Sequence, residues 1–425
     1  MRELALIFCF LFTFQILNAQ EKDLDKIYNK ARNKYATGHF EEARDNYLKL
    51  IKLKPSDFVF NYELGMLYFY ELNDKIESIP YFEKAVQVNK DTVADVYNYL
   101  GQAYQSNLQY DKAIEAYNKY TAIPPKEGVI RVSVKRYIDQ CIQEKQKLEQ
   151  IKAARENAKK EGILVVNSGP IVNSENDDVS PLLYDGKLIY SSARKFDYVF
   201  NEYMKHSYAT VFVDGQYIKP EPLSESPYDK GMVVDPNWHQ EISSVTTDNS
   251  TIAVIYEEDI WLISKKGKNW GEPEQLNRKI NRSRSNAYAA LSGKGDRIIF
   301  VLFDRKTKQY DLFQTVKNAE GEWRDPVKLN NQVNTSKNEN YPFLSEDGYT
   351  LYFSSDRDGG PGKYDIYKCT LMENNEWSTP KILESPINSA GNDITYKYYK
   401  SINKAYFSSD RKGGFGKYDI YEVNY

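Results

Sequence analysis

The sequence has few of the residues on which most metal and acid–base sites depend. Three of its 425 residues are histidine, His39, His206 and His239, and none stands at an H-x-x-x-H or H-E-x-x-H spacing. Those spacings place two imidazoles on one face of a helix, so their lack argues against histidine-based metal or acid–base chemistry. We therefore expect no cofactor, no metal site and no enzymatic activity.

Cysteine is equally scarce. Cys9 lies in an apolar N-terminal run, which leaves Cys141 and Cys369 in the rest of the chain. Cys141 falls in a helical pattern and Cys369 at the end of a strand pattern, in different predicted domains. Nothing in this arrangement favours a disulfide, and we expect two separate core thiols.

An excess of positive charge is also missing. The formal net charge is -3 and the isoelectric point is near 5.9. A nucleic-acid partner is therefore not expected, because such proteins carry a basic surface. The aromatic content is high instead, with 36 tyrosines. Tyrosine suits half-buried surfaces at which one end of the side chain stays wet.

Long apolar runs are confined to the N-terminus. The run from Leu4 to Leu17 follows Arg2 and precedes Asn18-Ala19, a small-residue cleavage site. This pattern predicts a signal peptide at residues 1–19 and hence an exported protein. The run is too short to cross a bilayer comfortably, and no later segment is apolar enough. We therefore expect a chain that does not span the membrane.

Residues 20–125 have the apolar spacing of helices and contain three aligned units. Each unit has a small residue, an aromatic residue three or four positions further on and a later Ala. These are Ala31, Tyr35 and Ala43, then Gly65, Tyr68 and Ala85, then Gly101, Tyr104 and Ala113. This pattern resembles the tetratricopeptide repeat, in which helices cross closely at small residues. Residues 126–161 are predicted to form a capping and connecting helix.

The resemblance implies a concave groove, formed by the first helix of each repeat, that binds a segment of a partner protein. By alignment the groove is lined by Tyr28, Arg32, Tyr35, Tyr62, Met66, Phe69, Asn98, Gln102 and Gln105. The alternative is that several of these tyrosines only pack against neighbouring helices.

Residues 162–425 contain short β-rich runs separated by Gly, Pro, Asn and Asp turns. The clearest repeat is LYFSSDRDGGPGKYDIY at 351–367, which returns as AYFSSDRKGGFGKYDIY at 405–421. Aligning weaker copies gives five units, whose second strands are predicted at Lys187–Ser192, Thr251–Tyr256, Arg297–Phe303, Thr350–Ser354 and Lys404–Ser408. Five units predict a five-bladed β-propeller. A sixth blade hidden within 198–238 is the alternative.

A W-x-x-P signature, as in Trp377-Ser-Thr-Pro380, follows each of three units, and we place it on an outer edge strand, where proline is tolerated. The fifth unit ends at Tyr425 without it. The segment near 163–168 is followed by Val172-Asn173-Ser174, which matches the exits of the other units. We therefore predict that this segment supplies the missing outer strand and closes the ring against 418–423.

The Gly-rich loops of the two clear copies do not form a phosphate loop, because Lys363 lacks a following Ser or Thr. Their glycines are expected to adopt positive φ in tight connections. Asp356, Arg357, Asp410 and Arg411 are candidates for a ligand-facing rim. The alternative role is structural, with Asp capping the turn and Arg pairing with the neighbouring blade. The acidic group Glu175, Asp177 and Asp178 lacks calcium-loop spacing, and a solvated turn is preferred.

The β units resemble the TolB-like, WD-like propeller repeat. The order of signal peptide, tetratricopeptide array, helix and propeller is similar to the N-terminal half of OmpA-family periplasmic proteins of type IX secretion and gliding, the PorE-like group. The OmpA domain is not present in this sequence, so no peptidoglycan-binding domain is expected.

This resemblance implies a non-enzymatic periplasmic scaffold, associated with the outer membrane, with protein partners such as an outer-membrane barrel or a secretion-system component. The alternative is a carbohydrate-directed propeller that binds glycans or hydrolyses glycosides with two carboxylates.

Overall fold

The chain divides into two compact units, Met1–Glu149 and Gln150–Tyr425. The computed structural model describes residues 23–72, 74–88, 94–125, 131–157, 163–197, 202–226, 229–235, 240–282 and 286–425. The predicted signal peptide lies outside these residues.

The first unit consists of antiparallel helix pairs followed by a longer helix. The helices are α1 (residues 23–36), α2 (Phe40–Leu53), α3 (Phe58–Met66), α4 (Lys75–Val88), α5 (Ala94–Ser106), α6 (Tyr110–Ala122) and α7 (Lys135–Asn157), of which the residues from Gln150 onward belong to the second unit. A π-helical segment, Leu67–Glu71, continues α3. The pairs α1–α2, α3–α4 and α5–α6 are the three predicted repeats.

Two glycines allow the paired helices to approach closely. A Cβ atom on Gly65 would lie 2.6 Å from the ring of Phe82, and one on Gly101 would lie 2.5 Å from the ring of Tyr117. Both rings are fully buried. The small residues of the sequence pattern are therefore needed because an aromatic ring from the second helix occupies the space of their side chains.

The second unit contains five β-sheets arranged as the blades of a propeller. Blade 1 consists of β2 (Asp178–Tyr184), β3 (Lys187–Asp197), β4 (Glu202–Thr210) and β7 (Glu221–Pro222), with a hairpin of β5 (Phe212–Val213) and β6 (Gln216–Tyr217). Blade 2 consists of β8 (Gln240–Val245), β9 (Thr251–Tyr256), β10 (Asp259–Lys266), β11 (Asn269–Trp270) and β12 (Glu274–Gln275).

The other three blades follow the same order from the inner to the outer strand. Blade 3 consists of β13 (Asn286–Leu291), β14 (Arg297–Asp304), β15 (Gln309–Val316) and β16 (Val327–Lys328). Blade 4 consists of β17 (Glu339–Leu344), β18 (Thr350–Ser355), β19 (Asp365–Thr370) and β20 (Lys381–Ile382). Blade 5 consists of β21 (Asp393–Tyr399), β22 (Lys404–Ser409), β23 (Asp419–Asn424) and β1 (Leu164–Asn167).

The inner strands β2, β8, β13, β17 and β21 contact one another in a closed cycle. The ring is completed as predicted, by a strand from the start of the unit. β1 pairs antiparallel with β23, with Leu164 opposite Asn424 and Asn167 opposite Tyr421. This pairing joins the first and last parts of the unit in one sheet, so β23 is covered and blade 5 has its outer strand.

A buried asparagine fixes each of four connections between blades. Asn334 accepts a hydrogen bond from the backbone N–H of Leu312 and donates to the carbonyls of Leu312 and Leu329. Asn281 and Asn388 make the same three bonds in their blades. The repeated asparagine of the sequence therefore ties the third strand of a blade to the segment that leaves its outer strand.

In blades 3 and 4 the W-x-x-P signature lies before the outer strand, which corrects the prediction there, whereas Trp270 of the copy in blade 2 is on β11. β20 begins at Lys381, immediately after Pro380, and β16 begins at Val327, after Pro326. Trp377 forms only an isolated bridge to Leu371, and its side chain is fully buried. Trp377 therefore packs between blades, and the outer strand begins at the residue that follows the proline.

The glycines of the loops at 356–364 and 410–418 have two functions, of which the sequence predicted one. Gly359 and Gly413 adopt positive φ, of 103° and 94°. Gly362 does not, but a Cβ atom there would lie 2.0 Å from the carbonyl oxygen of Gly391. Gly416 approaches the carbonyl of Asn176 in the same way, at 2.1 Å. These loops therefore fit tightly against the connection that enters the next blade.

Candidate functional site

The nine predicted groove residues lie on the first helices of the three repeats. Tyr28, Arg32 and Tyr35 are on α1, Tyr62 and Met66 on α3, Phe69 on the π-helical segment, and Asn98, Gln102 and Gln105 on α5. Their side chains differ in how much they are available to a partner.

Tyrosine hydroxyls hold two carboxylates between the first and second repeats. Tyr28 and Tyr47 donate to the two oxygens of Glu63, at 3.0 and 2.8 Å. Tyr35 donates to Oε1 of Glu71 at 2.8 Å. Burial, this bond and the charge of Glu71 raise the pKa of Tyr35 to about 12. The tyrosines therefore stay protonated and act as neutral donors to charged acceptors.

The π-helical segment changes which aromatic residues of the second repeat are exposed. Phe69 is only 4% exposed and packs against Phe82 and Tyr99, so it does not line an open groove as predicted. Its neighbour Tyr70 is 55% exposed and contacts Tyr99 edge to face. A π turn contains one residue more than an α turn, so it shifts which side chains of this segment face outward.

The groove residues of the third repeat are amides that bond to one another and to the following helix. Gln102 donates to Asn98 at 3.3 Å. Gln105 donates to Glu144 of α7 at 3.3 Å and accepts from Tyr117 at 3.1 Å. These bonds orient the amides at one end of the groove, while exposed aromatic residues, Tyr35 and Tyr70, mark the other.

The predicted rim arginines make bonds within the propeller. Arg357 donates to the carbonyls of Gln332 and Val333, in the connection from blade 3, and to the buried Glu339 of β17 at 3.2 Å. Its guanidinium lies over the rings of Phe353 and Tyr367, at 5.2 and 4.7 Å from their centroids. Aromatic faces and a carboxylate beside the guanidinium compensate the free-energy cost of burying its charge.

The same arrangement recurs in two other blades. Arg411 contacts Asp393, Phe407 and Tyr421, and Arg194 contacts Asp178, Tyr190 and Tyr208. Asp178 is buried and also accepts hydrogen bonds from the backbone N–H and the hydroxyl of Ser174. It is therefore part of this arrangement, whereas the sequence pattern predicts a solvated acidic turn. The repeated S-S-x-R pattern of the sequence marks the positions of these arginines. It does not indicate that their guanidinium groups lie over aromatic rings.

The rim aspartates accept hydrogen bonds from the loop that enters their own blade. Asp356 accepts from the backbone N–H and side-chain amide of Asn338, at 2.6 and 2.8 Å. Asp410 accepts from the same two groups of Asn392, at 2.6 and 2.7 Å. Ligand binding by this rim stays a prediction, and these bonds give its four residues a structural function.

An axial cavity of about 650 Å³ opens where the inner strands end. All five blades contribute to its wall, among them Leu182, Val245, Leu291, Phe343 and Tyr399. Its size is that of a ligand pocket, and its wall is mainly apolar. No sequence pattern predicted it, because its wall combines short segments from five blades that are far apart in the sequence.

A polar cluster lies on the inner strands behind this cavity. Glu241 accepts hydrogen bonds from Ser180 and from Tyr288, the latter at 2.9 Å, and Lys397 donates to the carbonyl of Ser243 at 2.8 Å. Burial lowers the pKa of Lys397 to about 8, and the charge of Glu241 opposes this. Burial likewise raises the pKa of Glu241. The cluster links four of the five blades.

No metal centre is evident in the part of the chain described by the structure: no three His, Cys, Asp or Glu side chains there are grouped to hold an ion. Cys141 and Cys369 are both free thiols and buried, and burial raises the pKa of each to about 12. Among the described helices, none has the length and apolarity needed to cross a bilayer.

Comparison with known proteins identifies the helical repeats. The tetratricopeptide repeat family model matches residues 27–57, 60–92 and 94–127. No curated protein sequence matches the chain.

Among solved structures, a double mutant of MamA RS-1 is similar, with 27% identity over 25% of this chain and a TM-score of 0.23. This chain spans 58% of the length of that protein. SycD, the type III secretion translocator chaperone of Yersinia enterocolitica, is 14% identical over 31% of this chain and 88% of its own, with a TM-score of 0.23.

The second unit has its own structural neighbour. A putative TolB from Agrobacterium tumefaciens is 13% identical over 58% of this chain and 76% of that chain, with a TM-score of 0.33. Scaffolds built from tetratricopeptide repeats and propellers are typically non-catalytic. The chain consists of a three-repeat tetratricopeptide unit followed by a five-bladed β-propeller, an architecture of protein-interaction scaffolds.

Proposed function

We propose that this protein is a non-enzymatic scaffold whose helical groove binds a segment of a partner protein. The observation that carries this proposal is the tetratricopeptide array itself, with exposed Tyr35 and Tyr70 on the first helices of two repeats. Exposed aromatic side chains supply contact area at a small entropic cost, and they are enriched where proteins bind one another.

The place of action that we propose is the cell envelope. The apolar run from Leu4 to Leu17 and the Asn18-Ala19 site support export. The order of units is similar to that of OmpA-family proteins of type IX secretion, which supports a periplasmic protein associated with the outer membrane. An outer-membrane barrel or another secretion-system component is the partner that this resemblance favours.

Site-specific photocross-linking tests the groove. A photoreactive amino acid replaces Tyr70 in the groove or, as a control, Leu53, which is exposed on the second helix α2. We expect a defined protein to be cross-linked through position 70 and not through position 53. Adding Tyr35→Ala to the position 70 variant should abolish that cross-link. Equal labelling from both positions, or none from position 70, would contradict groove binding.

Fractionation with N-terminal sequencing tests the location. A mature chain that begins at Gln20 in the periplasmic or outer-membrane fraction is the expected result. A chain that retains Met1 in the cytoplasm would sink the envelope proposal. A preparation that binds glycans and captures no protein would support the carbohydrate-directed alternative instead.

A further inference from the structure

Carboxylates on the two sides of the helical repeats are neutralised in different ways. Six carboxylates in this unit form ion pairs with described Lys or Arg residues, and all six are on the second helices: Glu41, Glu42, Asp45, Glu83, Asp111 and Glu115. Those charges are already compensated by the protein's own cations.

Carboxylates on the first helices lack such cations. Glu63 and Glu71 are bonded by tyrosine hydroxyls, which carry no charge. Neither these two nor Asp95 forms an ion pair with any described residue. Glu71 and Asp95 are exposed and Glu63 is half-buried, so their charges act on whatever enters the groove.

Aromatic faces lie beside these charges. Tyr35 and Tyr70 are exposed. Burial raises the pKa of Tyr62 and Tyr99, and the nearby charge of Asp95 adds to both shifts. Two groove residues already make the contact that such faces favour. The guanidinium of Arg32 lies 5.8 Å from the ring centroid of Tyr28, and the ammonium of Lys75 lies 5.3 Å from that of Phe69. Tyrosine faces attract ammonium and guanidinium groups, and nearby carboxylates strengthen that attraction.

From this distribution of charge we infer that the groove binds a basic segment, one in which Lys or Arg side chains reach Glu71 and Asp95 and lie against the exposed tyrosines. The inference rests on the proposed function and names the chemistry of the partner. Glu63, Glu71 and Asp95 form no ion pair with a described residue, so positive charge on the partner complements them. Arg32 and Lys75, whose charged groups lie over the rings of Tyr28 and Phe69, are the cations that such a segment would meet.

The test measures fluorescence anisotropy with the mature full-length chain and two labelled peptides of equal length. One peptide carries Lys and Arg at regular intervals, and the other carries Glu at the same positions. We expect tighter binding of the basic peptide, with an affinity that falls as salt is added. Glu71→Gln and Asp95→Asn each weaken it by about two- to fivefold, as expected for exposed charges.

Two matched variants show whether the charge acts at the groove. Glu115→Gln, on the second helix α6 and paired with Lys119 at 2.7 Å, leaves the affinity for the basic peptide unchanged. Arg32→Gln strengthens it, because a cation that repels the peptide is removed. Both changes are at the surface of the unit, and circular dichroism verifies that the variants are folded.

The outcomes separate this inference from the proposed function. If the basic peptide binds no tighter than the acidic one, or Glu71→Gln and Glu115→Gln weaken it equally, the inference is overturned. The proposed function survives that result if position 70 still cross-links a partner. If position 70 captures nothing, the proposed function fails as well.

Discussion

Asn173 binds both backbone polar groups of Ile420, which lies 247 residues further along the chain. Its side-chain oxygen accepts from the N–H of Ile420 at 2.7 Å, and its amide donates to the carbonyl at 3.0 Å. All of these atoms are buried. The pair therefore fixes the connection that leaves the closing strand β1 to the last strand of the chain.

Replacing Asn173 with Ala should destabilise the propeller by about 2–3 kcal/mol, because two buried backbone groups lose their partner. Urea unfolding followed by tryptophan fluorescence measures the change. Asn374→Ala is the control, since Asn374 bonds Glu376 in an exposed turn, and it should shift the free energy of unfolding by less than about 0.5 kcal/mol. Equal effects of the two variants would contradict the closing function of Asn173.

Gly362→Ala should cost more stability than Gly359→Ala, although both glycines are in the same loop. Gly359 needs only its positive φ, which costs an L-residue about 1–2 kcal/mol, and no atom lies within 4 Å of a Cβ there. A Cβ on Gly362 meets the backbone of Gly391, which cannot rotate away, so we expect about 3 kcal/mol. Thermal unfolding of both variants provides the comparison, and a reversed order would disprove the tight contact.

Gly101→Ala should destabilise the helical unit in spite of the better helix propensity of alanine. The gain in propensity is about 1 kcal/mol, whereas forcing a buried ring to move costs about 1–3 kcal/mol. The ring is that of Tyr117, which is stacked on Tyr137 and cannot move freely. Far-ultraviolet circular dichroism during heating measures the loss. Ser106→Ala, at the exposed end of the same helix, should be neutral or slightly stabilising.

Lys397 should make the stability of the propeller depend on pH above 8. Its pKa is about 8 in the folded state and near 10.5 when it is exposed. Between these values the unfolded chain holds a proton that the folded chain lacks, so the free energy of unfolding rises with pH. Lys397 therefore contributes a rise of about 2 kcal/mol between pH 8 and 10, which is measured as the difference between the wild type and Lys397→Met.

Denaturant titrations at several pH values measure this rise. Lys368→Met, at an exposed position of β19, is the control and should leave the rise in place. Buried tyrosines act in the opposite direction, because burial holds their pKa above the ordinary value at which they titrate in the unfolded chain, so their ionisation lowers the free energy of unfolding toward pH 10. This contribution is the same in the wild type and in Lys397→Met, so the difference between the two profiles reports Lys397. A profile for Lys397→Met that parallels the wild type would show that Lys397 is not the titrating group.

Repetition made most of the fold predictable. Strand positions and ring closure followed from aligned units, since Val172-Asn173-Ser174 copies the exits of complete blades. The outer strands were misplaced because a tryptophan before proline can lie on a strand or in the core between blades. Trp377 lies in the core, and neither local pattern nor propensity distinguishes the two.

The candidate sites were less predictable because they depend on contacts between distant residues. Alignment placed Phe69 in the groove, but the π turn exposes Tyr70 instead. Glu63 and Glu71 were missed, since only the structure shows which carboxylates have cationic partners. The axial cavity and the polar cluster combine residues from several blades, and no local pattern reports such a combination.

The closing strand has a topological consequence. Because Leu164 pairs with Asn424, the two ends of the propeller lie side by side in one sheet. A short peptide linker could join them, and the chain could be cut in any exposed turn between blades. The ring therefore has no inherent first blade, and circular permutants of residues 163–425 should keep the fold.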